Sequence, residues 1–277
     1  KGVLDPANPM GLSASGNVAF QKVETSLPGG IKDRVKLDGS VGITNTTANL
    51  GLAIVSGPTD VSIKGDAADW MVLALPKLAA GRVAKVNVAI NSNTIDVDRF
   101  LPPADTTKAQ EASKPLELPK LPPVVLKASF DANLIKVMGL GIQKTQARLS
   151  LEGGKVVESI TGSVAKGAIR QNLSANLSDP ARLSAKFGAN LSGVQIHEVL
   201  IGVKDRIPPG TARSMHDKIF GTGNVEVVAS VDGPPAKLAD LLAADLKMDL
   251  KDGRLEGLPA AQKLGGVAGN GVVSNGV

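Results

Sequence analysis

The sequence contains no cysteine and no tyrosine. The first absence removes disulfides, thiolate metal sites and cysteine nucleophiles together, and suits either a cytosolic or a periplasmic home. With one tryptophan and five phenylalanines in 277 residues, the chain lacks the material for a platform on which bases or sugars stack. The formal net charge of +5, from 31 basic and 26 acidic residues, is spread without a clustered basic stripe, which argues against nucleic acid as a partner. No apolar run approaches the roughly 18 residues of a membrane-spanning helix. The chain starts at Lys1 without Met or a signal sequence. It therefore reads as a processed form or a fragment, with any membrane anchor lying outside it.

What is present is alternation. Leu126, Ala128, Phe130, Ala132 and Leu134 fall on one side of a period-two pattern, with Lys127, Ser129, Asp131 and Asn133 on the other. Leu183, Ala185, Phe187, Ala189 and Leu191 repeat the pattern against Arg182, Ser184, Lys186, Gly188 and Asn190. Val35–Ile43, Val86–Ile90, Ala147–Leu151, Leu173–Leu177, Val225–Val231 and Leu246–Leu250 read as further strands. Turn formers at Asp38-Gly39, Gly57-Pro58, Glu152-Gly153-Gly154, Asp179-Pro180 and Asp252-Gly253 separate them. The fold class is therefore mainly β: an antiparallel meander of short strands, with a few short helices at its ends and connections. Helical spacing is confined to Asp69–Ala80, where Pro76 disturbs the middle, to Ile196–Ile207, and to Pro235–Leu246.

Residues 102–123, PPADTTKAQEASKPLELPKLPP, hold six prolines and almost no alternation, and read as a linker or extended crossover. They divide the chain into β-rich units at 1–101 and 124–277, whose strands can share one continuous sheet. The Gly-rich C-terminal GGVAGNGVVSNGV is expected to fray.

Candidates for chemistry are few. His197 adjoins Glu198 and His216 adjoins Asp217, but neither lies in an HxxxH or HExxH arrangement, and both read as exposed or capping histidines. Ser214, His216 and Asp217 do not make a triad, since neighbours in sequence rarely converge and no GxSxG elbow occurs. Gly221-Thr222-Gly223-Asn224 lacks the phosphate-loop pattern and reads as a turn into the Val225 strand. Asn45, Asn172, Asn176 and Asn190 sit in N-x-[ST] patterns, at polar faces or ends of strands. No catalytic residue, metal site or cofactor is expected, so the chain does not read as an enzyme.

A sheet with one apolar face must cover it. Here that face is built of Ala, Val and Leu with almost no aromatic filler, and two outcomes stay open. It can close on itself as a dry core, or curl into an open, taco-like groove whose lining is covered by something else, such as acyl chains. A strand of about seven residues spans roughly 23 Å, and a dozen strands extend roughly 57 Å, dimensions that suit a trough for hydrocarbon.

Gly221–Leu258, GTGNVEVVASVDGPPAKLADLLAADLKMDLKDGRLEGL, resembles the C-terminal region of the AsmA family of bacterial envelope proteins. The likeness lies in a Gly-rich lead-in, an alternating strand, the turn residues Asp232-Gly233, a helix at Lys237–Leu242 and a second strand ending at Lys251–Gly257. Leu183–Val199, LSAKFGANLSGVQIHEV, resembles the strand and turn that precede this region in the family. Asp96–Pro103, DVDRFLPP, resembles the family's ending to the segment before such a linker. The resemblance covers 124–258 well and 31–103 loosely.

It implies a mainly periplasmic protein, tethered to the inner membrane by an N-terminal anchor that this chain does not contain, whose hydrophobic β-groove carries phospholipid between inner and outer membranes. The expected lipid contacts are the apolar face itself: Leu126, Phe130, Leu134, Leu149, Leu151, Leu173, Leu177, Leu183, Phe187, Leu191, Val225, Val227, Val231, Leu246, Met248 and Leu250. Headgroups would stay at the open edge, and a uniform aliphatic lining would keep the energy level along the path. The alternative is a non-enzymatic assembly module of the envelope with a closed β core, binding outer-membrane or other envelope proteins through its edge strands.

Overall fold

The computed structural model describes residues 2–3, 13–26, 34–74, 81–100, 123–204, 217–255 and 269–276. Two short strands, β1 (Gly2–Val3) and β2 (Ser13–Ala14), pair with each other. The rest of the β structure is one sheet of thirteen strands in sequence order, β3 to β15, and it is not closed into a barrel. The strands are β3 (Gly16–Ser26), β4 (Arg34–Ile43), β5 (Thr47–Ser56), β6 (Thr59–Ala68), β7 (Ala84–Asp96), β8 (Val124–Val137), β9 (Leu140–Glu152), β10 (Lys155–Val164), β11 (Gly167–Asp179), β12 (Arg182–Gln195), β13 (Ile219–Gly233), β14 (Ala243–Leu255) and β15 (Gly269–Gly276). The mainly β architecture expected from alternation is what forms, and of the two outcomes that alternation left open the sheet takes the open one.

Every neighbouring pair is antiparallel except β7 and β8, which run parallel from Ala84↔Val124 to Asp96↔Lys136. In a parallel pair the end of one strand and the start of the next lie at opposite ends, as do the end of β7 and the start of β8 here; residues 102–122 of the expected linker lie outside the described residues. The sheet passes through this point unbroken.

The strands have 8 to 15 residues, most of them 10 or more, so the longer ones extend roughly 33–50 Å where segments of about seven were expected. Two expected turns lie inside them. Asp38-Gly39 is in the middle of β4. A side chain at Gly39 would overlap the Gly51 carbonyl and touch the Phe20 ring, so the glycine admits a ring from β3 rather than reversing the chain. Asp252-Gly253 belongs to β14, at an irregularity where Asp252 has φ +52°. Gly221–Asn224 is likewise strand, in β13, with a register shift between Phe220 and Thr222. In these places glycine and aspartate mark bulges, which bend a strand without ending it.

Side-chain oxygens take over where the ladder breaks. Asp38 Oδ1 accepts the Lys22 N–H (2.8 Å) at the bulge in β3, and Asn224 Oδ1 accepts the Gly193 N–H (2.9 Å) at the bulge in β12. Asp98, in the 3-10 turn Val97–Arg99 after β7, accepts from Met138 and Gly139 at the β8–β9 turn.

The helices are shorter than their periodicity suggested. α1 is Met71–Ala74, and residues 75–80 of the expected helix lie outside the described residues. α2 is Ile196–Val203, and residues 205–207 lie outside as well. The expected helix Pro235–Leu246 is a 3-10 turn (Pro235–Lys237) and α3 (Leu238–Leu241), after which β14 takes over. Leu246 fits helical spacing, but it also alternates with Ala244, Met248 and Leu250, and pairing with β13 wins. Of the C-terminal segment expected to fray, Gly269–Gly276 pairs with β14 as β15, and its other residues lie outside the described ones.

Candidate functional site

Residues directly opposite in neighbouring strands share a face, so the register assigns faces without ambiguity through the middle of the sheet. Phe187 lies between Leu173 and Ala229. Leu191 lies between Ile169 and Val225, and Val225 and Val227 oppose Met248 and Leu246. Leu126 opposes Leu151, Ala128 opposes Leu149, and Phe130 lies between Ile90 and Ala147. Leu183 opposes Gly233, Val231 opposes Ala185, Leu250 opposes Gly223, and Leu134 opposes Gln143. Leu177 follows Leu173 and Ala175 at the next position on the same side of β11. All the residues named from the sequence as the apolar face therefore lie on one face of one sheet.

The face extends further than the sequence reading took it. Ile63 lies between Leu52 and Ile90, Ile54 between Leu37 and Val61, and Val41 between Val18 and Leu50. Val35–Ile43 and Val86–Ile90 carried the signal for this first half, which went unused because the expected contacts were drawn from the second unit alone.

Among the described residues no second layer buries it. The buried apolar residues among those described are Val35, Val72, Ala84, Ala132, Val164 and Val194, and none of the expected contact residues is among them. Met248 is 45% exposed and Val18 65%. The helices cover only strand ends. Val72 of α1 packs on Ala84 and Val124, the Ile196 side chain of α2 reaches Gly223, and the Leu241 side chain of α3 reaches Gly233. Gly139, at φ +78°, lets the β8–β9 turn approach the Gly202 carbonyl of α2, where a methyl group would collide.

The opposite face is polar and laced with exposed ion pairs. Arg148 spans both Asp131 oxygens (3.1 and 3.2 Å), and Arg182 does the same to Asp232 (2.7 and 2.9 Å). Lys247 faces Glu226 at 3.7 Å. Recesses open on this polar face: one of about 950 Å³ runs from β4 to β10 past Ser40, Lys64, Asn87, Lys127 and Arg148, and another of about 750 Å³ lies beside Asp60, Asn91 and Asn133. They do not coincide with the apolar lining.

The pattern inverts along β10. Along β10 the order Val156-Val157-Glu158-Ser159-Ile160 puts Val157 on the polar face opposite Ser150 and Ser174, 53% exposed. Glu158 falls on the apolar face between Leu149 and Leu173, half-buried. The lining is thus not uniformly aliphatic.

His197 stacks on Phe220 (centroids 4.2 Å apart, 16° between planes), and the Arg254 guanidinium lies 5.1 Å over the same ring. Its Nδ1 is buried without a hydrogen-bond partner, while the neighbouring Glu198 is held by Lys166 at 2.7 Å. The histidine therefore packs rather than exposes a base. His216 and Ser214 lie outside the described residues. Asn45 sits in the bend between β4 and β5, Asn172 and Asn176 in β11, and Asn190 in β12. Among the described residues no cluster of His, Asp and Glu could hold a metal ion, and no helix is long and apolar enough to cross a membrane.

No family model, no curated protein and no solved structure matches this chain.

Proposed function

We propose that this chain is a lipid-binding β-groove protein of AsmA-like kind, non-enzymatic, whose apolar face holds phospholipid acyl chains on their way between the inner and outer membranes. The single observation that carries the reading is a largely apolar face running along the thirteen-stranded sheet, with no layer of the described residues over its middle. Exposed apolar patches beyond a few hundred Å² mark interaction surfaces, and this one extends roughly 58 Å across the strands at the ordinary spacing.

The chemistry of the face favours hydrocarbon over a protein partner. It is made of Leu, Val, Ile and Ala, with few of the aromatic, Arg and hydrogen-bonding groups that anchor protein interfaces. Each methylene removed from water contributes roughly 0.8 kcal/mol, so two acyl chains laid on the face are held firmly. Leu-on-Leu rows such as Leu126–Leu151 and Val227–Leu246 present nearly the same surface from strand to strand, which favours sliding over trapping. The polar headgroup stays in water. The AsmA resemblance supports a periplasmic setting with tethering to the inner membrane.

A second reading rests on the edge strands β3 and β15, whose outer sides are unpaired among the described residues and which are templates for strand addition by another envelope protein. Native mass spectrometry of gently purified protein, with lipid extraction from the same sample, separates the two. Bound phospholipid that is lost in Phe130→Asp or Phe187→Asp variants that still fold supports the groove. A lipid-free protein that captures a β-rich partner supports edge pairing.

A further inference from the structure

Glu158 is the only charged side chain in the middle rows of the apolar face among the described residues. Its row reads Ala128, Leu149, Glu158, Leu173, Phe187 and Ala229 from β8 to β13. No polar partner compensates it. From β9 it is faced by Ala147, Leu149 and Leu151, from β11 by Gln171, Leu173 and Ala175, and on its own strand by Val156 and Ile160. Of these only Gln171 carries a polar group, and none carries charge. Of the remaining titratable groups of β10 and its neighbours, Lys155, Arg148, Glu152 and Arg170 fall on the polar face, and Lys144 and Asp179 lie away from this row towards the strand ends. The helix that packs on β9, β12 and β13 brings His197 and Glu198 only to the far ends of the strands.

In the bare sheet Glu158 is partly exposed, so its carboxylate can meet water. Acyl chains laid across the row remove that water and supply no hydrogen-bond donor. A charge buried without a partner neutralises rather than remaining ionised. Resting on the lipid reading above, we propose that occupancy of the apolar face is linked to proton uptake at Glu158: the loaded protein carries a protonated carboxylic acid, and the empty protein a carboxylate. By linkage, lipid is then held more tightly as pH falls and released more readily as pH rises. Transport past this row is gated by proton availability rather than being level along the groove. The inversion of Val157 and Glu158 is what makes the device. Exchanging the two residues would restore simple alternation and remove it.

The test is titration of the intact chain with monomeric diheptanoyl-phosphatidylcholine, whose headgroup charge is constant over the range, at about pH 5 and about pH 8. Wild type, Glu158→Gln, Glu158→Leu and His197→Gln are compared, with circular dichroism to establish that each is folded. The expected result is a dissociation constant larger by at least about tenfold at the higher pH in wild type and His197→Gln. In Glu158→Gln and Glu158→Leu it should stay within about twofold between the two, tight at both. Binding that is pH-independent in wild type, or a pH dependence that survives in both Glu158 variants, overturns the proton linkage and leaves the lipid reading standing. Absence of binding at either pH overturns the lipid reading itself.

Discussion

Asp60 Oδ1 lies 2.7 Å from the backbone nitrogen of Thr94, and it also accepts the N–H of Asn93 at 3.0 Å. This is the point where the β6–β7 ladder, regular through Ser62↔Asn91, comes to an end. The carboxylate replaces the carbonyl acceptors that the departing strand no longer supplies. Replacing Asp60 with Ala leaves two backbone donors without that partner, and is expected to lower the unfolding free energy by about 2 kcal/mol. Urea titration measures this. A midpoint unchanged from wild type would mean that water serves these donors equally well.

Gly39 is the corresponding case for steric fit. A side chain there meets the Gly51 carbonyl and the Phe20 ring, so Gly39→Val must displace either β5 or the ring. The expected cost is about 2 kcal/mol, in the range of overpacking. Gly188, in the middle of β12, has open space around its missing Cβ, and Gly188→Val is expected to leave the same urea midpoint nearly unchanged.

Acid should weaken the fold through two exposed pairs. The two hydrogen bonds from Arg182, with its charge, hold the Asp232 carboxyl below the ordinary carboxylate range, against an opposing desolvation effect. The hydrogen bond from Lys166, with its charge, does the same for Glu198. A carboxyl depressed in the folded state contributes its full stability above the unfolded value near about 4, and loses it as pH falls through the lowered folded value. Urea midpoints are therefore expected to drop on acidification from about pH 5 to about pH 2, less steeply in an Asp232→Asn, Glu198→Gln double variant. The effect is small and fades in high salt, since both pairs are open to water. An identical acid slope in the double variant would remove these pairs from the account.

Much of this was legible in the sequence, and for a physical reason. Alternation at period two fixes which side chains share a face, so Leu126–Leu134 and Arg182–Leu191 announced both their strands and their apolar side. Neighbours of the same strand type hid where their side chains were small or mixed. β5, TANLGLAIVS, and β6, TDVSIKGDAA, interleave Gly and Ala with larger residues, and β10 carries its Val and Glu in inverted order. Gly and Asp misled at Asp38-Gly39 and Asp252-Gly253, because the residues that favour turns also accommodate bulges. Strand length escaped for the same reason, since a bulge read as a turn cuts one long strand into two. Helical spacing overshot at Pro235–Leu246, where Leu246 satisfies both periods and only pairing with Val227 decides. The uncovered state of the apolar face could not be read locally at all: it depends on whether the first and last strands meet, a contact between opposite ends of the chain.

Site-specific photo-crosslinking in living cells tests the central claim most directly. A benzophenone amino acid is placed at Phe187 or Leu246 on the apolar face, or at Lys186 or Lys247 one residue away on the polar face. The adducts are then identified by mass spectrometry. Phospholipid adducts from Phe187 and Leu246, and none from Lys186 and Lys247, are the expected result. Protein adducts alone at Phe187 and Leu246, or lipid captured equally from both faces, would contradict the account.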